Sequence, residues 1–140
     1  MRGVIILSTL MLVFGLAIGQ EKTGDCFEFI NADDFFLLVN SDDAIVLDVR
    51  LFREYKRNRI SGAVSVATRK SLEEFCKTVS KNTTLLVYCN DGARSETASD
   101  ILCRELKFKQ VFSLERGLNA WKEKNYTIDK TRISKRNRTN

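Results

Sequence analysis

The stretch Cys89-Asn90-Asp91-Gly92-Ala93-Arg94-Ser95 holds residue types and a spacing from which nucleophilic chemistry could be built. A thiol comes first, and an arginine follows after four intervening residues. The chain contains no histidine, so no imidazole can serve as base, proton shuttle or metal ligand. Activation of a nucleophile therefore falls to backbone dipoles and fixed cations. Gly92 permits a backbone geometry that a side chain would strain. A loop curling ahead of a helix can turn several N–H groups toward the Cys89 sulfur and hold a bound anion there. Arg94 adds a permanent charge without competing as a base. Cys89 is thus the candidate catalytic residue, with Asn90, Asp91, Gly92, Ala93, Arg94 and Ser95 as the candidate substrate-binding loop. A lone cysteine at a strand end is otherwise a small buried hydrophobe, so the flanking elements decide between the two.

Those elements favour the nucleophile. Leu85-Leu86-Val87-Tyr88 reads as a buried strand that delivers Cys89 to the carboxyl edge of a sheet, where open α/β sheets keep their chemistry. A helix is expected from about Ser95 to Leu106. Upstream, Asn31 can cap a short helix carrying Phe35, Phe36, Leu38 and Val39. Ala44 to Val49 reads as a strand that is apolar on both faces until Asp48. Ser61-Gly62 marks a turn before a short strand, Ala63 to Val66. Ser71 and Glu74 have the spacing of a capping box, and Leu72, Phe75, Cys76 and Val79 form an amphipathic stripe. Gln110 to Leu114 is a further strand, and Gly117 to Lys124 a further helix holding Trp121. Strands alternating with helices predict a parallel sheet covered on both faces.

At 140 residues, 44% hydrophobic and 29% charged, the chain has the make-up of one soluble globular domain. Arg2 precedes an uncharged, mostly apolar run from Val4 to Gly19 that ends Ala17-Ile18-Gly19. This predicts a signal peptide over 1–19 and export, to a periplasm or as a secreted protein. The run is short for a membrane anchor, which needs roughly 20 apolar residues, so membrane contact is expected only through that transient segment. The folded domain is expected over 20–128, with a basic tail over 129–140 where Lys130, Arg132, Lys135, Arg136 and Arg138 follow Asp129. No aromatic residues interleave with those charges, and no nucleic-acid partner is expected.

Two blocks carry a family likeness. IVLDVRLFREYKRNRISGAVSV, Ile45 to Val66, has an apolar strand ending in Asp-x-Arg, then Glu-Tyr, then Ile-x-Gly-Ala. LLVYCNDGARSETASDILCRELKFKQVFSLERGLNAWKE, Leu85 to Glu123, has the cysteine strand, loop and helix and a closing Gly-x-x-x-Trp. The sequence resembles a single-domain rhodanese-like sulfurtransferase. The resemblance implies an α/β, three-layer domain with a central parallel sheet flanked by helices on both faces. It implies that Cys89 takes a sulfane sulfur from a donor, thiosulfate or a persulfide, and becomes a persulfide itself. The sulfur would then pass to a thiophilic acceptor such as cyanide, a thiol or a protein thiol. The amides of Asn90 to Ser95 would cradle the persulfide or the donor's anionic end. Two displacement steps imply ping-pong kinetics, with no metal and no organic cofactor required. Related phosphatases and arsenate-reducing enzymes use a loop one residue longer.

Departures from the family pattern carry their own expectations. Asn58-Arg59-Ile60-Ser61-Gly62-Ala63 stands where the family often has Gly-His-Ile-Pro-Gly-Ala. Arg116-Gly117 replaces a usual Gly-Gly pair, which should place a cation near the sheet edge. Asp91 adds a negative charge to the loop, and charges ~6 Å apart interact by roughly a few tenths to a few kcal/mol. Weak thiosulfate activity and a different natural donor are expected from it. Asp48, Arg50 and Glu54 are expected as structural support, an ion-pair cluster that holds the turn beneath the loop. Trp121 is expected in the core.

Cys26, Cys76 and Cys103 complete the thiols. Cys76 shares its helix's apolar stripe and should be buried; Cys103 is expected half exposed. Export would allow disulfides, and four cysteines permit three full pairings between which the sequence does not choose. Two alternatives to sulfur transfer stay open: a thiol redox protein using Cys89 in a disulfide, or a non-catalytic binding module of the same fold. Asn82, Asn125 and Asn137 open glycosylation acceptor triplets, relevant only in a host that glycosylates its secreted proteins.

Overall fold

A strand that is apolar at every position can be satisfied only between two covered faces. The computed structural model describes residues 26–133 and places Leu85 to Cys89 in that setting, with no exposed surface. The sheet is built from β1 (Glu28–Ile30), β2 (Ala44–Asp48), β3 (Val64–Ser65), β4 (Thr84–Tyr88) and β5 (Gln110–Leu114). Its order is β1-β5-β4-β2-β3, with every pairing parallel. β4 is central and pairs in register with β2, so that Asp48 lies beside Tyr88.

Helices α1 (Ala32–Val39), α2 (Phe52–Arg57), α3 (Arg69–Cys76), α4 (Ala93–Asp100) and α5 (Gly117–Glu123) alternate with the strands. The alternating directions of β4 side chains divide the core in two. Leu85, Val87 and Cys89 pack on one face with Leu47, Leu72, Cys76 and Leu102. Leu86 and Tyr88 pack on the other with Phe35, Leu118 and Trp121. Helices therefore cover both faces, as the order of elements implies, and Trp121 lies in the core.

Local sequence explains most of the boundaries. Asn31 caps α1, its Oδ1 accepting from the N–H groups of Asp33 (2.9 Å) and Asp34 (3.0 Å). The expected cap at Ser71 is displaced. Thr68 caps α3 instead, with its Oγ1 accepting from Ser71 N at 3.1 Å while Ser71 Oγ accepts from Thr68 N at 3.0 Å. Ser71 thus closes the box from inside the helix, because Thr68 offers a hydroxyl one turn earlier. α4 begins at Ala93, two residues before Ser95, and passes into a π-helical turn over Ile101–Glu105. Sequence periodicity did not disclose β1 or α2. β1 is three residues at the sheet edge, and α2 (FREYKR) buries no residue of its own.

Cys26 and Cys103 form a disulfide with Cα atoms 5.8 Å apart. Cys103 is therefore tied to the start of β1 and is only partly buried. Cys76 is a free, buried thiol, and burial pushes its pKa up. The disulfide spans 77 residues of sequence, a loop for which chain entropy predicts roughly 4 kcal/mol of stabilisation. Reduction, or Cys103→Ser, should lower stability by about that amount in a urea titration; equal midpoints with and without reductant would refute it.

Asp129 and Thr131 bind Arg59, through a salt bridge of 2.6 Å and a 2.8 Å hydrogen bond to Thr131 Oγ1. The predicted signal peptide over 1–19, the rest of the basic tail from 134 onward and the Asn137 acceptor lie outside the described residues. Among the described residues no helix is long and apolar enough to cross a membrane.

Candidate active site

β4 ends by placing Cys89 under a loop that turns back over it. Gly92 has φ +102° and caps α4; this left-handed geometry is open to glycine and costly for other residues. The turn brings Gly92 N–H to 3.2 Å from Cys89 Sγ. The thiol also reaches Ser95 Oγ and Asp91 Oδ1, each at 3.6 Å. Ser95 is itself buried and held from two sides: it donates to Gly92 O at 2.9 Å and accepts from Ser113 Oγ at 3.1 Å. The Asp91 carboxylate accepts from Ala93 N–H at 3.1 Å, and that bond is the largest influence holding its pKa below the usual range.

The outer side of the loop is fixed by α5. Leu118 N–H donates to Cys89 O at 2.8 Å, and Asn119 N–H donates to Asn90 O at 3.0 Å. The N–H and C=O of a trans peptide point in opposite directions. Holding those two carbonyls against α5 therefore aims the N–H groups of Asn90 and Asp91 away from it. Gly117 makes this approach possible, since a Cβ there would fall 2.4 Å from Cys89 O.

A buried polar cluster lies beneath the loop. Arg50 is 2% exposed and contacts Asp48 through Nη2 at 2.6 Å and Nε at 3.0 Å. Tyr88 donates its hydroxyl proton to Asp48 Oδ2 at 2.6 Å and accepts from Ile60 N–H at 3.1 Å. Burial first, then the Asp48 charge, pushes the Tyr88 pKa well above the ordinary phenol value. Burial opposes the Arg50 charge, but the Asp48 carboxylate more than offsets it and raises its pKa. Arg50 also reaches Asn58 O at 2.6 Å and Asn90 Oδ1 at 3.3 Å.

Glu54, from α2, completes the support. Its Oε1 accepts from Asn90 Nδ2 at 2.6 Å, its Oε2 from Leu51 N–H at 3.0 Å, and Arg94 approaches Oε2 at 3.4 Å. Partial burial acts to raise the Glu54 pKa, yet these donors bring it below the usual value. Asp48, Arg50 and Glu54 thus converge on Asn90 and Arg94 rather than on the sulfur. Because the Arg50–Asp48 pair is buried, Arg50→Met would leave an unpaired carboxylate there. That should cost about 3–5 kcal/mol in urea unfolding; a loss below ~1 kcal/mol would show that the pair does not hold the turn.

The structure brings Cys89, Asp91, Gly92 and Ser95 together at the sulfur, while the side chains of Asn90 and Arg94 turn to the Glu54 cluster and Ala93 faces out. Arg116 pairs with Glu123, its Nη2 2.5 Å from Oε1, which balances its charge at the sheet edge. Tyr88, Ser113 and the amides of Leu118 and Asn119 were not singled out from the sequence. The register of Tyr88 with Asp48 is the signal that could have found the first.

The profile of the rhodanese-like domain matches residues 31–124. The chain belongs to the rhodanese-like family. Within it, a thiosulfate sulfurtransferase GlpE of Coxiella burnetii is 34% identical over 92 residues, covering 66% of this chain and 84% of that protein. The GlpE of Shewanella oneidensis is 26% identical over 99 residues, covering 71% of this chain and 96% of its own. Among solved structures, a rhodanese-related protein from Thermoplasma volcanium superposes with a TM-score of 0.65 at 26% identity. It covers 75% of this chain and all of its own. The rhodanese-like fold thus accounts for the sheet and its flanking helices.

Proposed function

We propose that the protein is an exported sulfurtransferase whose Cys89 carries sulfur as a persulfide. The Cys89 thiolate attacks the outer sulfur of a donor, thiosulfate or a persulfide; a new S–S bond forms as the donor's own breaks, and sulfite or a thiolate leaves. A thiophilic acceptor, such as cyanide, a thiol or a protein thiol, then attacks the outer sulfur and releases Cys89. The loop amides between Asn90 and Ser95, other than that of Ala93 which is held by Asp91, bind the anionic end of the donor and the persulfide, with Ser95 beside the sulfur. Asp48, Arg50 and Glu54 keep the loop in position.

One observation carries this reading: Gly92 N–H stands 3.2 Å from a sulfur at the end of the central strand, in a loop whose first two carbonyls are bound elsewhere. Such a loop turns a backbone donor toward a sulfur that lies ahead of a helix, an arrangement that needs no histidine. Membership of a family with thiosulfate sulfurtransferases among its relatives supports the same chemistry. The Cys26–Cys103 disulfide leaves Cys89 a free thiol, and disulfides persist chiefly in oxidising compartments. Together with the apolar run from Val4 to Gly19, it supports export. Initial rates measured across donor and cyanide concentrations should give parallel double-reciprocal lines, the signature of a sulfur-loaded intermediate. Intersecting lines would exclude that route.

A further inference from the structure

We propose that Asp91 selects the sulfur donor, turning the cradle away from dianionic thiosulfate and toward an organic persulfide whose carbon group lies in the neighbouring groove. This role deepens the sulfur chemistry assigned above to Cys89 and rests on it.

The charges around the loop are nearly balanced. Arg50 is matched by Asp48 at 2.6 Å, Arg94 by Glu54 at 3.4 Å and Arg116 by Glu123 at 2.5 Å. Asp91 forms no salt bridge among the described residues, although the Arg94 charge also acts on it. Its Oδ1 is held by Ala93 N–H and stands 3.6 Å from Cys89 Sγ. A donor therefore meets the Asp91 carboxylate beside the atom it must approach. Thiosulfate brings two negative charges to that point. An organic persulfide brings one at most on its sulfurs, and none when protonated. At ~6 Å, one extra negative charge changes the approach by roughly 3-fold in water and about 100-fold at an effective dielectric of ~20.

The groove supplies the second, independent argument. A cavity of about 430 Å³ opens between α3 and α4, floored by Val66 and Leu72 and flanked by Ala93, Arg94, Thr97 and an Arg69 that is paired with two glutamates. That volume and lining suit a small organic group, and Ala93 and Arg94 belong to the cradle itself. Thiosulfate has nothing to place there, whereas the carbon substituent of a persulfide does. The step balances without an oxidant. Cys89 Sγ, as thiolate, bonds to the terminal sulfur of R–S–SH, the donor's S–S bond breaks, and RS⁻ leaves with the electron pair. The proton stays on the transferred sulfur or passes to the departing thiolate.

The test is the rate of sulfur loading on Cys89, read by quenched intact mass, with thiosulfate and with cysteine persulfide. Wild type, Asp91→Asn, Asp91→Glu and Thr97→Phe would be compared. Asparagine keeps an oxygen for Ala93 N–H while removing the charge, and phenylalanine at exposed Thr97 covers the groove. The thiosulfate-to-persulfide ratio should rise about tenfold in Asp91→Asn. It should also rise in Thr97→Phe through slower persulfide loading, and keep its wild-type value in Asp91→Glu. A ratio within about twofold of wild type in either Asp91→Asn or Thr97→Phe overturns the inference while leaving Cys89 as the carrier. Absence of loading by both donors in the wild type would instead overturn the sulfur-carrier function itself.

Discussion

Cys89→Ser should lower sulfur transfer by about 10³-fold or more, as removal of a nucleophile does. Folding should survive the change. Serine is slightly smaller than cysteine, and its hydroxyl can accept from Gly92 N–H and donate to Ser95 Oγ, the neighbours that now surround the sulfur. A stability change of about 1 kcal/mol or less is expected in urea titration. Activity and stability would therefore separate in this variant. A variant that is well folded and still transfers sulfur within about tenfold of wild type would remove Cys89 from the mechanism.

Gly117→Ala should be among the most damaging single changes that touch no reacting group. Gly117 has φ +55°, and a Cβ there would lie 2.4 Å from Cys89 O, 2.7 Å from Asn90 C and 2.8 Å from Asn90 O. All three are backbone atoms, so no flexible side chain can yield. The left-handed conformation costs a non-glycine residue roughly 1–2 kcal/mol, and overpacking adds about 1–3 kcal/mol. Relief by moving the loop would also break the bonds from Leu118 N–H and Asn119 N–H to the Cys89 and Asn90 carbonyls. A total of about 3–5 kcal/mol is expected, a large share of the ~5–15 kcal/mol that stabilises an ordinary domain. Sulfur transfer should fall by about 10²-fold in the fraction still folded, since displacements of ~1 Å at a reacting group have that effect. Urea unfolding and initial rates check the two parts; a variant within about 1 kcal/mol and threefold of wild type would show that the contact with α5 does not set the loop.

The parts of the fold legible in the sequence are those governed by local pattern. The continuous apolar run before Cys89 could be satisfied only in the middle of a covered sheet, and Gln110 to Leu114 is a strand with the expected bounds. Asn31 caps its helix because the competing interactions are local too. What the sequence hid depends on distant partners. α2 is charged along its length and owes its place to Tyr55 donating to Ala63 O at 2.7 Å and to Glu54 meeting the cysteine loop. Arg94 supplies its charge to the loop on the sequence reading, and the structure adds Glu54, 3.4 Å away and 40 positions distant in sequence, as a partner that spacing does not show. The pairing of Cys26 with Cys103 follows from β1 lying beside β5, an adjacency set by sheet order rather than by spacing. Gly117 was visible as half of an altered Gly-Gly pair, but its contact with the Cys89 carbonyl needs the fold to be seen.

The most direct test of the central claim is the intact mass of the non-reduced protein before and after exposure to a persulfide donor, with Cys89→Ser alongside. A gain of one sulfur atom that requires Cys89 and is discharged by cyanide is the expected result. No gain, or an equal gain in Cys89→Ser, would contradict the role of Cys89 as sulfur carrier.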